Sequence, residues 1–329
     1  IKLAGAAIGG CKRVATLSVQ FANERQQFGR PIAKYGAIRF KLAEQAIRIF
    51  AAEAAIYRCS QNMEDAINAL REQGMEEGKA KLKGVEQYAV EAAILKVYGS
   101  ETLDYVTDEG VQIYGGMGYS SDAPMDRAYR DSRINRIFEG TNEINRMLAV
   151  DMMLKKAMKG DLDLMGPATA VANELLQIPD MSNGSDELFA AEKKTIANFK
   201  KAVLMVAGSA VQKLMMELAK EQEVLMNIAD MLIDLYVAES LQLRIEKLAG
   251  MRGEAGCTEE IDMMRVFLYD AAERINKASN DFINSYTSGD EQRMLLMGLK
   301  RFTKVAPVNV KESRRRIAAK LITENKYCY

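Results

Sequence analysis

The chain has 329 residues, 48% hydrophobic and 27% charged, with 45 basic against 45 acidic side chains. Those values describe an ordinary globular protein of about two domains, and zero net charge leaves no global field to recruit nucleic acid or an anionic membrane. Histidine is absent, which excludes Ser-His-Asp and Cys-His hydrolysis, His-ligated zinc and His general bases.

Acid–base chemistry must therefore fall to Glu, Asp, Lys, Tyr or a cofactor. The four cysteines, Cys11, Cys59, Cys257 and Cys328, are scattered and form no C-x-x-C pair. That pattern predicts free thiols in a reducing compartment. No stretch approaches the ~18–20 apolar residues of a membrane span, and no signal-peptide pattern opens the sequence. A cytoplasmic setting is the expectation.

In chain order, helical periodicity first predicts long helices over 2–26 and 35–70. The break Phe28-Gly29-Arg30-Pro31 separates them, and the second carries Ile38, Leu42, Ala46, Ile49 and Phe50 at helical spacing. A third helix is expected over 84–114, stopped by Gly115-Gly116. A short one should follow Pro124, and another should run from about 140 to 158. From Gly160 to Asp186 there are two prolines and little apolar periodicity, so a linker is predicted over 161–185, between domains at 1–160 and 186–329.

The second half offers helices near 186–219, 222–250, 258–286 and 290–303, then a basic tail helix. Leu225, Ile228, Met231, Leu235, Leu241 and Leu248 mark its core face. Twenty methionines suit helix–helix interfaces. The fold expectation is all-α, as two successive helical bundles.

Four local patterns invite functional readings. Tyr114-Gly115-Gly116-Met117-Gly118-Tyr119 hints at a dinucleotide loop, but the third glycine of the fingerprint falls at Ser121 and no strand precedes it. A helix C-cap and turn is the simpler reading, the glycines otherwise allowing backbone N–H groups to approach a phosphate. Asp161-Leu162-Asp163 resembles the start of a calcium loop, yet Met165 and Ala172 stand where ligands are needed.

Arg127, Arg130, Arg133 and Arg136 recur every three residues, but Asp126, Asp131 and Glu139 nearly neutralise them. Ion pairs that fix a loop are expected there rather than a nucleic-acid stripe. Between Lys300 and Lys320, eight cations face only Glu312. A solvated basic face opposite acidic surface is the expectation, with contact to anionic lipid as the minor alternative.

Three segments decide the reading together. Arg25-Gln26-Gln27-Phe28-Gly29 follows the first helix, and Gln112-Ile113-Tyr114-Gly115-Gly116-Met117-Gly118-Tyr119 ends the third. Arg130-Asp131-Ser132-Arg133 then leads into Ile137-Phe138-Glu139-Gly140-Thr141-Asn142-Glu143-Ile144. In order and spacing these resemble the C-terminal helical domain of acyl-CoA dehydrogenases, over about residues 1–158. From the residues alone, Glu139 precedes a helix and is flanked by Ile137 and Phe138. Such a carboxylate reads either as a dipole-satisfying end cap or as a buried acid whose pKa is pushed up.

The resemblance implies oxidation of an acyl-CoA thioester to the trans-2-enoyl-CoA, with Glu139 removing the α-proton while the β-hydrogen leaves as hydride to FAD. It implies that a flavin hydroxyl and the Glu139 amide stabilise the thioester oxygen, with Phe138 and Gly140 bordering the acyl group. Arg25, Gln27 and Phe28, with Gln112, Gly115 and Gly116, match positions that hold the FAD of a neighbouring subunit. Thr141, Asn142 and Glu143 match the stretch that holds FAD beside the base in its own subunit. A homodimer, with an electron-transfer flavoprotein as electron acceptor, follows from the same resemblance.

The helical region beyond residue 186 resembles the extension of the very-long-chain branch. The family's N-terminal helical domain and middle β-domain match no part of this chain, so the resemblance implies a piece of the enzyme that holds FAD weakly and is inactive alone. Two rival expectations remain: a non-catalytic assembly relative of the same fold, and an acyl-CoA oxidase that passes electrons to oxygen.

Overall fold

The computed structural model describes residues 1–175 and 187–329. Thirteen α-helices are described: α1 Lys2–Glu24, α2 Gly36–Glu72, α3 Glu77–Gln87, α4 Ala89–Tyr114, α5 Gly116–Tyr119, α6 Met125–Arg133, α7 Asn142–Met158, α8 Met165–Leu175, α9 Ala190–Leu214, α10 Gln222–Arg252, α11 Thr258–Tyr286, α12 Gly289–Phe302 and α13 Val310–Glu324. The all-α expectation holds, and most predicted helices lie within a few residues of their expected bounds. Among the described residues, none of the helices is long and apolar enough to cross a membrane.

Three local departures have identifiable causes. The predicted third helix begins late and a separate α3 precedes it. Gly74, at φ 81°, ends the α2 turn, and the Glu76 carboxylate then caps α3 by accepting from the amides of Gly78 at 2.8 Å and Lys79 at 3.0 Å. Glutamate is not the residue one seeks at an N-cap. The predicted linker contains α8, whose start is held by Asp163 Oδ1 accepting from the Gly166 amide at 2.9 Å. One of the aspartates that hinted at a calcium loop is thus a cap. The rest of the expected linker, 176–185, lies outside the described residues.

The third departure is a two-stranded hairpin, β1 Gln26–Gln27 and β2 Arg30–Pro31, in register Gln27 to Arg30. Its two turn residues, Phe28 and Gly29, both take positive φ, 51° and 81°. That is the type I′ geometry whose twist suits a tight hairpin, and only the second position has the glycine it favours.

The centre of the molecule is α2, packed against α1, α3, α4, α10 and α13. From Leu42 to Ala55 nearly every residue is buried, including runs such as Ala51-Ala52 and Ala54-Ala55. A helix buried all round rather than along one stripe is enclosed by neighbours, and its alanines let them approach closely. One cluster of buried apolar side chains runs from Ala4 in α1 to Leu321 in α13, so the two halves share an interior.

Charged pairs stitch that junction. Arg314 of α13 donates to Glu44 of α2 at 2.7 Å and to Asp270 of α11 at 2.8 Å. Arg316 donates to both oxygens of Asp262, at 2.6 and 2.7 Å. Glu53 of α2 accepts from Lys12 and from Arg244 of α10. The expectation of a solvated basic tail face is corrected for Arg314, which is largely buried, while Arg316 reaches Asp262 and stays exposed. Buried acids on α2 and α11 require partners, and the tail helix supplies them.

Candidate functional site

The loop that carries Glu139 hangs between α6 and α7. Thr141 caps α7 through its hydroxyl, which accepts from the Ile144 amide at 3.3 Å. Just before the cap, Glu139 and Gly140 both adopt positive φ, 57° and 81°. Glycine enters that region freely, whereas a glutamate there costs of order 1 kcal/mol. Such a conformation persists only where the surroundings hold it. A Cβ at Gly140 would also meet Asn145 Nδ2 at 3.0 Å.

What holds the loop is a set of buried polar groups behind it. Lys96 of α4, only 6% exposed, donates to the Gly140 carbonyl at 2.6 Å and to Asn142 Oδ1 at 2.8 Å. Asn142, 2% exposed, also exchanges hydrogen bonds with Ser100 and donates to Glu101 Oε1 at 3.1 Å. The Asn145 amide spans the carbonyls of Glu139, Gly140 and Thr141 at 3.3, 2.9 and 3.1 Å. Arg146 clamps Glu101 and, at 2.7 Å, Asp230 of α10. The second half of the chain thereby braces the helix that follows the loop.

On the outer side the loop is open. Ile137, Phe138, Glu139 and Gly140 are exposed. Among the described residues, no hydrogen bond takes up the Glu139 side chain or amide. The apolar burial expected around Glu139 is therefore not provided by this chain, in which Ile137, Phe138 and Glu139 are all exposed. Nor is Glu139 the cap of α7; Thr141 has that role.

The flanking residues divide. Glu143 is exposed in the first turn of α7, where its own backbone amide and the Thr141 hydroxyl hold its carboxyl below the usual carboxylate range. Asn142 faces inward with its amide fully engaged, so its side chain supports the loop and does not reach out to a cofactor.

The other predicted residues gather at the far end of α4. Phe21 of α1 stacks on Tyr114 of α4 at 4.0 Å between ring centroids, which brings the hairpin after α1 beside the Gln112–Gly116 turn. Gly115, with φ 60°, ends α4 as the C-cap reading expected. Arg25, Gln27 and Phe28 are exposed, as are Gln112, Gly115 and Gly116. Phe28 is 92% exposed, touching the edge of Tyr35, whose hydroxyl donates to the Gln27 carbonyl at 2.9 Å. Arg25 makes no ion pair among the described residues. Lys96 and Gln112 are 16 residues apart on one helix, so the clusters lie roughly 24 Å apart at 1.5 Å per residue.

The arginine series is mostly free. Arg136 pairs with Asp104 at 2.9 Å, while Arg127, Arg130 and Arg133 make no ion pair among the described residues. The ion-paired loop expected there is realised at one arginine of four. Sequence reading missed Lys96, Asn145 and Glu101. The available signal was Lys96 itself, a cation within the apolar run Ile94-Leu95-Lys96-Val97.

The residues at both ends of α4 suit a dinucleotide flavin. An unpaired guanidinium and an exposed, strained aromatic lie at one end. An exposed carboxylate beside an unengaged amide lies at the other.

Comparison with known proteins gives the family. Two family models, each described as the acyl-CoA dehydrogenase C-terminal domain, match residues 1–154 and 198–301. A probable acyl-CoA dehydrogenase of Bacillus subtilis is 39% identical over 99% of this chain, which covers 55% of that protein. The rat mitochondrial very long-chain specific acyl-CoA dehydrogenase is 36% identical over 53% of the chain and 23% of its own length. A crystal structure of an acyl-CoA dehydrogenase complexed with FAD from Bacillus anthracis superposes with TM-score 0.95 at 42% identity, over all of this chain and 56% of that one. The chain thus spans about half the length of these two Bacillus relatives, and it belongs to the acyl-CoA dehydrogenase family, whose C-terminal helical region it carries.

Proposed function

We propose that this chain forms the flavin- and substrate-facing helical part of an acyl-CoA dehydrogenase that converts acyl-CoA to trans-2-enoyl-CoA, with Glu139 as the base. The observation that carries the reading is the Glu139–Gly140 loop. Its backbone is held in a costly conformation from behind, while the carboxylate and amide of Glu139 stay exposed and unengaged in front. A structural carboxylate has no need of such an arrangement; a base presented to a partner or substrate does.

In this reading Glu139 takes the α-proton of the thioester, and its amide donates to the thioester oxygen as negative charge develops there. Phe138 and Gly140 border the acyl chain. FAD, when bound, supplies the hydride acceptor. Glu143 and the capped start of α7 face it from the same subunit. The hairpin residues Arg25, Gln27 and Phe28, with Gln112, Gly115 and Gly116, face the FAD of a second subunit in a homodimer. Electrons then pass to an electron-transfer flavoprotein. Residues 1–160 form the family's C-terminal helical domain in this scheme, and the helices from α9 onward form an added helical domain of the very-long-chain type.

The test is anaerobic titration of the full-length, FAD-loaded protein with acyl-CoAs of graded length while flavin absorbance is followed. The expected result is bleaching that Glu139→Gln reduces by at least about a thousandfold. Bleaching at the wild-type rate in Glu139→Gln removes the base assignment. Bound flavin that no acyl-CoA bleaches favours a non-catalytic assembly role instead, and rapid peroxide formation on admitting air favours an oxidase.

A further inference from the structure

We propose that Lys96 is a positioning residue for the proton transfer. Through the Gly140 carbonyl, it fixes the left-handed Glu139–Gly140 backbone from which the carboxylate and amide of Glu139 address the substrate. The inference rests on the reading of Glu139 as the base. It begins from an anomaly, since a lysine almost never lies buried within a helix unless its ammonium is paired. The Lys96 ammonium does not end on a carboxylate. It donates to the Gly140 carbonyl at 2.6 Å and to Asn142 Oδ1 at 2.8 Å.

One acceptor lies in the loop that carries the base, and the other is the first residue of α7, which follows it. Burial pulls the Lys96 ammonium below its usual range, and the carboxylates of Glu143, Glu101 and Glu139 act in the opposite direction to keep it charged. Both groups that Lys96 meets are carbonyl oxygens, so its side-chain nitrogen is the donor in each bond.

The Gly140 carbonyl accepts a second bond, from Asn145 at 2.9 Å. Asn145 reaches it from within α7, whereas Lys96 reaches it from α4, so at the Gly140 carbonyl it is Lys96 that ties the base's own backbone to a different helix; the Arg136–Asp104 pair holds the loop further upstream. Without that tie, the positive φ of Glu139 has less to hold it, and an ordinary residue relaxes toward negative φ. Rotation about that bond swings the carboxylate. Displacement of a reacting group by about 1 Å is enough to cost roughly a hundredfold in rate.

The experiment uses the full-length, FAD-loaded protein and stopped-flow anaerobic reduction by a saturating series of acyl-CoA. It compares Lys96→Met, Lys96→Gln and Glu139→Gln, with flavin content and helical circular dichroism measured on each. Lys96→Met is expected to lower the limiting first-order rate per bound flavin by about ten- to a hundredfold. Its half-saturating acyl-CoA concentration should change by less than about threefold, because ground-state binding is not what Lys96 governs. Lys96→Gln, which keeps a neutral donor near the loop, should fall between Met and wild type.

Loss of stability alone would lower flavin content without changing the rate per bound flavin. A wild-type rate per flavin in either Lys96 variant overturns the inference, and Lys96→Gln decides it if Lys96→Met fails to hold FAD. If Glu139→Gln itself reduces flavin normally, the base assignment has failed instead, and the two failures are told apart.

Discussion

At Lys96–Glu101, α4 meets the Glu139 loop and the start of α7 through the buried Lys96 and Ser100 and the half-buried Glu101, each with partners inside the chain. At Gln112–Gly116, the same helix meets the β1–β2 hairpin through one aromatic stack and leaves Arg25, Phe28 and both glycines facing outward. The first end is organised before any ligand arrives. The second presents an exposed, strained aromatic and an unpaired guanidinium that the chain itself does nothing to satisfy.

The contrast follows from what each end is asked to do in the proposed reaction. A base must be placed to within a fraction of an ångström, so its backbone is fixed by the chain that carries it. A surface that completes another subunit's flavin site gains from contacts made only on assembly. Natural sequences tolerate local strain where such contacts offset it.

Three substitutions test this contrast on stability, read by urea unfolding of the 329-residue chain. The largest effect is expected for Asn142→Leu, which removes one of the two acceptors of Lys96 and one partner each of Ser100 and Glu101. A loss of about 3 kcal/mol follows from leaving buried polar and charged groups unmet. A loss below about 1 kcal/mol would mean the buried network does not hold this end.

A smaller loss, about 2 kcal/mol, is expected for Phe21→Ala, because its half-buried ring gives up the Tyr114 stack but leaves no buried charge exposed. The Phe21→Ala change should leave flavin reduction per bound flavin unaltered, since the Glu139 loop lies at the other end of α4. The smallest effect has the opposite sign. Phe28→Asn replaces an exposed, positive-φ phenylalanine by a residue that tolerates that region, and should stabilise the chain by about 0.5 kcal/mol. The same variant should weaken FAD retention in the full-length protein, measured by equilibrium dialysis. Destabilisation, or unchanged retention, would count against Phe28 as a residue shaped for assembly.

Much of this was legible in the sequence. Apolar spacing located α1, α2, α4, α10 and α11, because long amphipathic or fully apolar helices announce their period over many turns. Gly115 marked the end of α4, and the segments around Arg25, Gln112 and Glu139 identified the family by their order. The hairpin at Gln26–Pro31 was hidden because Phe28 occupies a turn position that normally calls for Asn, Asp or Gly. The start of α3 was hidden by a glutamate cap, and α8 by a short helix in a segment whose prolines suggested a linker.

By itself the sequence determined the helical class, the chemistry open to a chain without histidine, and the motifs that place the chain in its family. Those properties are local, carried by composition, periodicity and contiguous motifs. Only the tertiary structure decided that Lys96 and Asn142 turn inward to hold the loop and that Glu139 is open on this chain. It also decided that Arg314 and Arg316 answer the buried acids of α2 and α11. Each of these depends on partners between about 40 and 270 residues away. The cost of leaving a buried charge or a strained backbone unsupported is resolved only once the helices are packed.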